Sequence, residues 1–330
     1  MLAPVVAAEG EVSRASVGGF EEPLCVHPDY RSTRGALAFR VEPIAVQHHH
    51  AHIASCLVEH GRTGPAIGVV FDGTAWESDG VVWGGEFLVA TLDGFRRAGH
   101  MRPIALPGGE VAIQQPWRVG FAALLDARAT FAPLEDVKPG QRAIVQRMIE
   151  QRITTPFATS AGRWFDAVAA IAGIVREISY CGQAAIELEA TAADGAHAPY
   201  PFAIVPALPD GPIAAFVQRQ GPFVVDMRPV VRAIAHDVVH AIPASEISAR
   251  FHETMAQVIV AGSRRVRELN RVSCVVLSGG CFQNERLKSR VCGLLRHDGF
   301  ELLVHRSLGA GDGGIAVSEA PIALALIRRP

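Results

Sequence analysis

Four histidines, His48, His49, His50 and His52, stand within the ten residues Val46-Gln-His-His-His-Ala-His-Ile-Ala-Ser55. His48 and His52 are spaced i, i+4, which on a helix puts both side chains on one face, one turn apart. Two imidazoles so placed can hold one metal ion, but they supply only part of its ligand set. The competing reading is a histidine-rich helix start with solvated rings. The apolar run Ile53, Ala54, Cys56, Leu57, Val58 implies instead a packed helix whose rings are positioned. His49 and His50 read as solvated or as supporting neighbours. Asp72 follows the apolar run Ala66-Ile-Gly-Val-Val-Phe71 and opens an Asp-Gly-Thr turn. A carboxylate at the end of a strand projects into a crevice, though it can equally serve as a turn former. Asp312, in Gly311-Asp-Gly-Gly314, has the same ambiguity with a helix cap. The turn Ser278-Gly279-Gly280 lies between a Val-rich segment and a helix, where main-chain N–H groups can approach a phosphate. Any tight strand–helix turn uses glycine too. Asn284 can bond a base or ribose edge. Asp166 interrupts the apolar run Trp164-Phe-Asp-Ala-Val-Ala-Ala170 and needs a partner if buried, either a ribose diol or Arg163. Glu187 and Glu189 fall on different helix faces and form no acid–base pair; Glu187 reads as supporting and Glu189 as solvated.

These residues need elements to carry them. Apolar spacing predicts a helix over 48–60 ending at Gly61, and a buried strand over 66–71 ending in Asp72-Gly73-Thr74. Strands at 81–83 and 86–90 are separated by Gly84-Gly85. Helices follow at 117–127, 139–153, 163–177 and 183–193. Residues 198–224 are a proline-rich crossing. A long amphipathic helix over 244–270 leads to a strand at 274–277, a helix from about 283, a strand at 300–304 and a helix at 313–326. Residues 1–24 read as irregular. Strands alternating with helices argue an α/β class.

The chain has 330 residues, 49% hydrophobic and 19% charged, with net charge −2. That length suits two lobes better than one compact core. No basic excess points to nucleic acid. No apolar run approaches the ~20 residues needed to cross a bilayer, and Met1-Leu-Ala-Pro-Val-Val-Ala-Ala-Glu9 lacks a basic n-region and a full h-region, so no secretion signal is expected. The six cysteines, at 25, 56, 181, 274, 281 and 292, form no Cys-x-x-Cys and suit reduced thiols in a cytoplasmic protein. Cys281 at a helix start reads as structural rather than reactive.

The histidine segment resembles that of the carbamoyltransferases that mature NiFe-hydrogenases, the HypF family. Further segments are similar to that family, in family order: Cys25-Val-His-Pro-Asp-Tyr-Arg-Ser-Thr33, Phe71-Asp-Gly-Thr-Ala-Trp-Glu-Ser-Asp-Gly80, Trp83-Gly-Gly-Glu-Phe87, Leu106-Pro-Gly-Gly109, Pro116-Trp-Arg118, Ser160-Ala-Gly-Arg-Trp-Phe-Asp-Ala-Val168, Gly182-Gln-Ala-Ala-Ile-Glu-Leu-Glu189, Ser278-Gly-Gly-Cys-Phe-Gln-Asn-Glu-Arg-Leu287 and Gly311-Asp-Gly-Gly-Ile315. The resemblance implies the two-lobed fold of actin, sugar kinases and heat-shock ATPases. It implies an irregular segment over 1–40, a first lobe over 41–160 carrying the histidines, and a second over 161–330 carrying nucleotide-binding turns. It implies one divalent metal, Fe, Zn or Mn, held by His48, His52, Asp72 and Asp312. Similarity to the related threonylcarbamoyl-transfer enzymes implies that Asp166, Gly182, Ser278, Gly279, Gly280 and Asn284 bind ATP, AMP or carbamoyl-adenylate. The implied reaction moves a carbamoyl group from carbamoyl-adenylate to the C-terminal cysteine of a HypE-type partner. Full-length members carry further N-terminal domains, so the expectation is an N-terminally truncated chain to which a separate protein supplies carbamoyl-adenylate. Cys181 in Tyr180-Cys-Gly-Gln183 departs from the family's Tyr-Glu-Gly-Gln, and Gly309-Ala-Gly311 before Asp312 is also unusual. The alternatives are a non-catalytic remnant that binds a nucleotide or partner, and an O-carbamoyltransferase acting on a small molecule.

Overall fold

The computed structural model describes residues 46–76, 80–206, 223–315, 317 and 321–322; the segments read over 1–40, most of the helix over 313–326 and part of the proline-rich crossing lie outside them. The histidine segment folds as helix α1 (His48–Glu59). Gln47 caps it, its side-chain oxygen accepting from His50 N–H at 2.7 Å. The helix ends before Gly61, as the sequence suggests.

Strand β1 (Ala66–Trp76) runs antiparallel to β2 (Val81–Thr91), which runs antiparallel to β3 (Gly94–Met101). Two boundaries differ from the sequence reading. β1 does not stop at Asp72: its pairing breaks after Phe71 and resumes at Ala75 opposite Trp83. Gly84 and Gly85 do not divide two strands: Trp83 pairs with Ala75 and Gly85 with Phe71 of β1, and pairing with β3 begins at Glu86, so β2 runs on through the glycines. Short strands β4 (Ile104–Ala105) and β5 (Phe157–Ala158) flank helices α2 (Glu110–Gln114), α3 (Pro116–Ala127) and α4 (Pro139–Gln151). Helices α5 (Ala161–Ile171) and α6 (Gln183–Thr191) follow, α5 ending short of its expected length. Next come β6 (Ala203–Val205), β7 (Phe223–Asp226) and α7 (Arg228–Val239). The long helix α8 (Ala244–Asn270) matches its amphipathic pattern. Strand β8 (Cys274–Ser278), a 3₁₀ turn at Gly280–Gln283, helix α9 (Glu285–His297) and β9 (Glu301–Val304) complete the order. β3, β6, β7 and α7 escaped the sequence reading.

The strands form one sheet in the order β6-β7-β3-β2-β1-β8-β9, with β5 beside β2 and β4 beside β5. β1 pairs parallel with β8, β8 with β9, and β3 with β7, so strands from both sides of residue 160 share this sheet.

Side-chain alternation sets the layers. Along β1, Ile67, Val69 and Phe71 join the core under α3, α5 and α8, whereas Ala66 and Val70 join a second core with Ile53, Cys56 and Leu57 of α1. β8 does the same: Val275 and Leu277 face the first core, Val276 the second. A Cβ on Gly68 would overlap Ile53, so glycine lets α1 sit directly on β1. The alternation has a direct consequence. Asp72 continues the series 66, 68, 70, and Ser278 continues 274, 276, so both fall on the side that carries α1.

A second set of charges lies inside the sheet. Glu86 is fully buried and paired with Arg97, Nε to Oε2 at 2.7 Å. Arg97 stacks over Trp83 at 3.9 Å, and Thr159 donates to Glu86 Oε1. Burial would raise the Glu86 carboxyl; Arg97 and buried His100 outweigh it and bring it down to about 2.

Candidate metal and nucleotide site

The i, i+4 spacing does what it predicts. The His48 and His52 rings stack edge to face, centroids 4.8 Å apart, above the end of β1. His52 Nε2 lies 3.0 Å from Asp72 Oδ2, and His48 Nε2 lies 3.4 Å from the same oxygen. The loop after β9 brings Asp312 in from the open side, its Oδ1 3.6 Å from His48 Nε2 and 3.5 Å from His52 Nε2. One ligand atom from each of the four residues lies within 4.8 Å of every other. Four ligands about 2.1 Å from a central ion in tetrahedral array stand about 3.4 Å from one another. The four His–Asp separations, 3.0, 3.4, 3.5 and 3.6 Å, lie near that value, and two imidazoles with two carboxylates suit Fe, Zn or Mn. Burial would raise the Asp72 carboxyl, yet the two imidazoles beside it hold it far below the carboxylate range. Asp312 is lowered as well, mainly by its contact with His52. Both are therefore anions at neutral pH.

His49 and His50 are not solvated. His49 is fully buried beside Trp83, with Gln47 Nε2 donating to its Nδ1 at 3.1 Å; burial lowers it to about 3. His50 is buried against Phe95 and donates from Nε2 to the Thr91 carbonyl at 2.7 Å. Both anchor α1 to β2, and the remaining two rings of the run face the aspartates.

A cleft of about 490 Å³ opens beside the four ligands and is lined in part by Asp72, Asp312, Asp166, Gly182, Gly280 and Asn284. Gly279 takes φ +99°, and a Cβ there would overlap the Phe71 carbonyl. Glycine thus lets the turn after β8 press against the end of β1. Gly280 N–H then donates to Asp72 Oδ1 at 3.2 Å. Asp166 is buried, and its partner is Arg163, Nη2 to Oδ2 at 3.0 Å. Burial raises the Asp166 carboxyl, with Arg163 opposing. Asn284 caps α9, its Oδ1 accepting from Leu287 N–H at 2.8 Å, while Nδ2 donates to buried His252 Nε2 at 2.9 Å. Ser278 is fully buried and not part of the cleft lining: its hydroxyl lies 3.1 Å from His52 Nδ1 and 2.9 Å from His305 Nε2. Glu189, read as solvated, accepts from Arg286 N–H at 3.1 Å and lines the cleft. The five described cysteines are free, and burial pushes the Cys281 thiol well above its usual range.

The sequence reading missed Glu59 and His305. Glu59 accepts from the N–H groups of Arg306 and Leu308, each at 3.1 Å, and so pins the loop that carries His305. Only the parity of β8, which turns Ser278 toward α1, hinted that anything lay behind His52.

Two family models match. One, described as a carbamoyltransferase Kae1-like domain, second subdomain, spans residues 68–318; the other, the HypF Kae1-like domain, spans residues 24–59. The chain belongs to the HypF carbamoyltransferase family. It is 36% identical over 319 residues to carbamoyltransferase HypF2 of Cupriavidus necator, covering 91% of this chain and 39% of that protein. A HypF homolog from the same organism is 36% identical over 308 residues, 90% of this chain and 76% of that one. The chain therefore spans about 39% of the length of HypF2 and most of the shorter homolog. The crystal structure of full-length HypF in its phosphate- and nucleotide-bound form superposes with a TM-score of 0.84 at 35% identity, covering 92% of this chain and 46% of that chain. The likeness extends to T. kodakarensis HypF, TM-score 0.76 at 24% identity over 91% of this chain and 39% of that chain, and bears on the fold alone. These likenesses carry the expected actin- and heat-shock-ATPase-type α/β class with them. No described helix is long and apolar enough to cross a membrane.

Proposed function

We propose that this chain transfers a carbamoyl group from carbamoyl-adenylate to the C-terminal cysteine thiolate of a HypE-type partner. One observation carries the reading: ligand atoms of His48, His52, Asp72 and Asp312, drawn from a helix, a strand end and a distant loop, converge at the mouth of the cleft. Residues 41–160 contribute the histidines and Asp72; residues 161–330 contribute Asp312 and the turns around the nucleotide. In this reading Gly182, Gly280 and Asn284 line the seat of the nucleotide, Gly279 shapes the turn while its N–H donates to the Ala310 carbonyl at 2.8 Å, and Asp166 faces the ribose. Ser278 acts from behind the turn. A divalent ion held by the four ligands supplies Lewis-acid polarisation of a phosphate or carbonyl oxygen when bound. The thiolate attacks the carbamoyl carbon, a C–S bond forms, the bond to the phosphate oxygen breaks, and AMP leaves with that electron pair. In this reading the attacking thiolate is the partner's, and the buried thiols of this chain are not candidates. Burial pushes Cys56 up to about 12 and Cys274 up to about 11, and Cys281 is raised further, so these three thiols stay protonated.

Metal analysis beside a transfer assay with supplied carbamoyl-adenylate tests this. The expected result is AMP release only when the thiol protein is present, and added carbamoyl mass on its C-terminal cysteine. Transfer to a hydroxyl of a small molecule instead would redirect the reading to O-carbamoylation. No transfer in a chain that binds both metal and nucleotide would sink it in favour of a non-catalytic binding role.

A further inference from the structure

We infer that Glu59, through His305 and Ser278, sets the tautomer of His52 and presents its Nε2 lone pair to the metal; this rests on the metal site proposed above. The four groups stand in a line behind the ligand. Glu59 Oε2 is 3.3 Å from His305 Nδ1, His305 Nε2 is 2.9 Å from Ser278 Oγ, and Ser278 Oγ is 3.1 Å from His52 Nδ1. His305 Nδ1 makes no aligned hydrogen bond; the Glu59 carboxylate is its ion-pair contact. Glu59, His305, Ser278 and His52 side chains are each at most 10% exposed.

The direction of each bond follows from the end of the line. Glu59 is an anion: burial would raise its carboxyl, but the main-chain N–H groups of Ser307, Arg306 and Leu308 bring it down to about 2. A carboxylate only accepts, so His305 carries its proton on Nδ1 and leaves Nε2 as an acceptor. Ser278 then donates to His305 Nε2, a shorter contact than its alternative, the Ala310 carbonyl at 3.4 Å. The Ser278 oxygen is left to accept from His52 Nδ1–H, so the His52 lone pair sits on Nε2. That lone pair faces Asp72 Oδ2 at 3.0 Å, an arrangement of two acceptors that a cation between them relieves. Groups behind metal-bound histidines typically act this way, and their loss costs metal affinity.

Glu59→Gln tests the line from its far end. The amide oxygen must stay on the three loop N–H groups, so the amide N–H₂ faces His305 and donates where the carboxylate accepted. Every proton in the line then reverses, and His52 Nε2 carries a hydrogen. Zinc alone is the probe, titrated into the full chain by calorimetry. Glu59→Gln should raise the zinc Kd about 10–100-fold, and Ser278→Ala, which breaks the line while leaving Glu59 on its loop, should do the same. Long-range ¹H–¹⁵N spectra of histidine-labelled, zinc-free protein give a readout that loss of structure would not mimic. His305, assigned by the signals missing from His305→Gln, should be the Nδ1–H tautomer in the parent chain and Nε2–H in Glu59→Gln. Parent zinc affinity in both folded variants, or an Nε2–H His305 in the parent chain, overturns the inference. A parent chain that binds no zinc overturns the metal site itself, and the His305 tautomer still decides the line.

Discussion

His52 meets Asp72 and Asp312 on one side and Ser278 on the other, so its ring has two jobs and no solvent. His52→Ala should lose most bound metal while α1 stays packed through Ile53 and Leu57; elemental analysis beside a thermal melt checks this, and full metal content in a folded variant would remove His52 from the ligand set. At the nucleotide end the obvious alanine variants are poor tools. Asn284→Ala removes the cap of α9, at a cost of about 1 kcal/mol, along with the donor to His252. Asn284→Ser keeps a capping oxygen and deletes the amide. Asp166→Asn keeps the shape but leaves Arg163 without its anion. Each should weaken AMP binding by roughly tenfold, or about 1.4 kcal/mol, at unchanged metal content. Calorimetric affinity equal to the parent in both variants would leave these residues purely structural.

The contact between the end of β1 and the turn after β8 decides whether these side chains meet. Gly279→Ala adds a Cβ into the Phe71 carbonyl at a positive φ, and something must shift. The substitution should cost roughly 1–3 kcal/mol in a denaturant melt and lower metal affinity as well, because Asp72 follows Phe71 directly. A variant with parent stability and parent affinity would show that this contact positions nothing. The elements around the site were legible because each announces itself locally: α1 by its i, i+4 histidines and apolar run, α8 by its long apolar stripe, the turn at 278–280 by its glycines. β3 and β7 were not. Gly94-Phe-Arg-Arg-Ala-Gly-His-Met101 carries two arginines, and it becomes a strand because β2 and β7 pair with it on either side, Glu86 takes Arg97, and Asn270 of α8 accepts from Arg96. Glu59 and His305 were invisible for another reason. Their pairing joins residues far apart in sequence, which no periodicity reports.

Over the whole molecule, the buried Glu86–Arg97 pair makes stability depend on acid. An unfolded glutamate titrates near 4.5 and the folded one near 2, so the folded chain is the weaker proton binder. That contribution is complete above about pH 5 and is lost as pH falls from 4.5 toward 2. Glu86→Gln, which leaves Arg97 buried without its anion, should lose about 3–5 kcal/mol at neutral pH and flatten the acid limb. A melt series with the parent slope below pH 4.5 would assign acid sensitivity elsewhere. The parallel pairing of β1 with β8 has a consequence in time. His48 and His52 leave the ribosome early, but Asp72 is held in place only once residues 274–280 have arrived, and Asp312 comes later still. Such distant strand pairing is slow, so an ion taken up by this set would enter after the chain has closed rather than guide its closure. Zinc should therefore slow unfolding in stopped-flow experiments and leave the refolding rate untouched, and a refolding rate that climbs with zinc concentration would mean that the metal gathers its ligands before the sheet does.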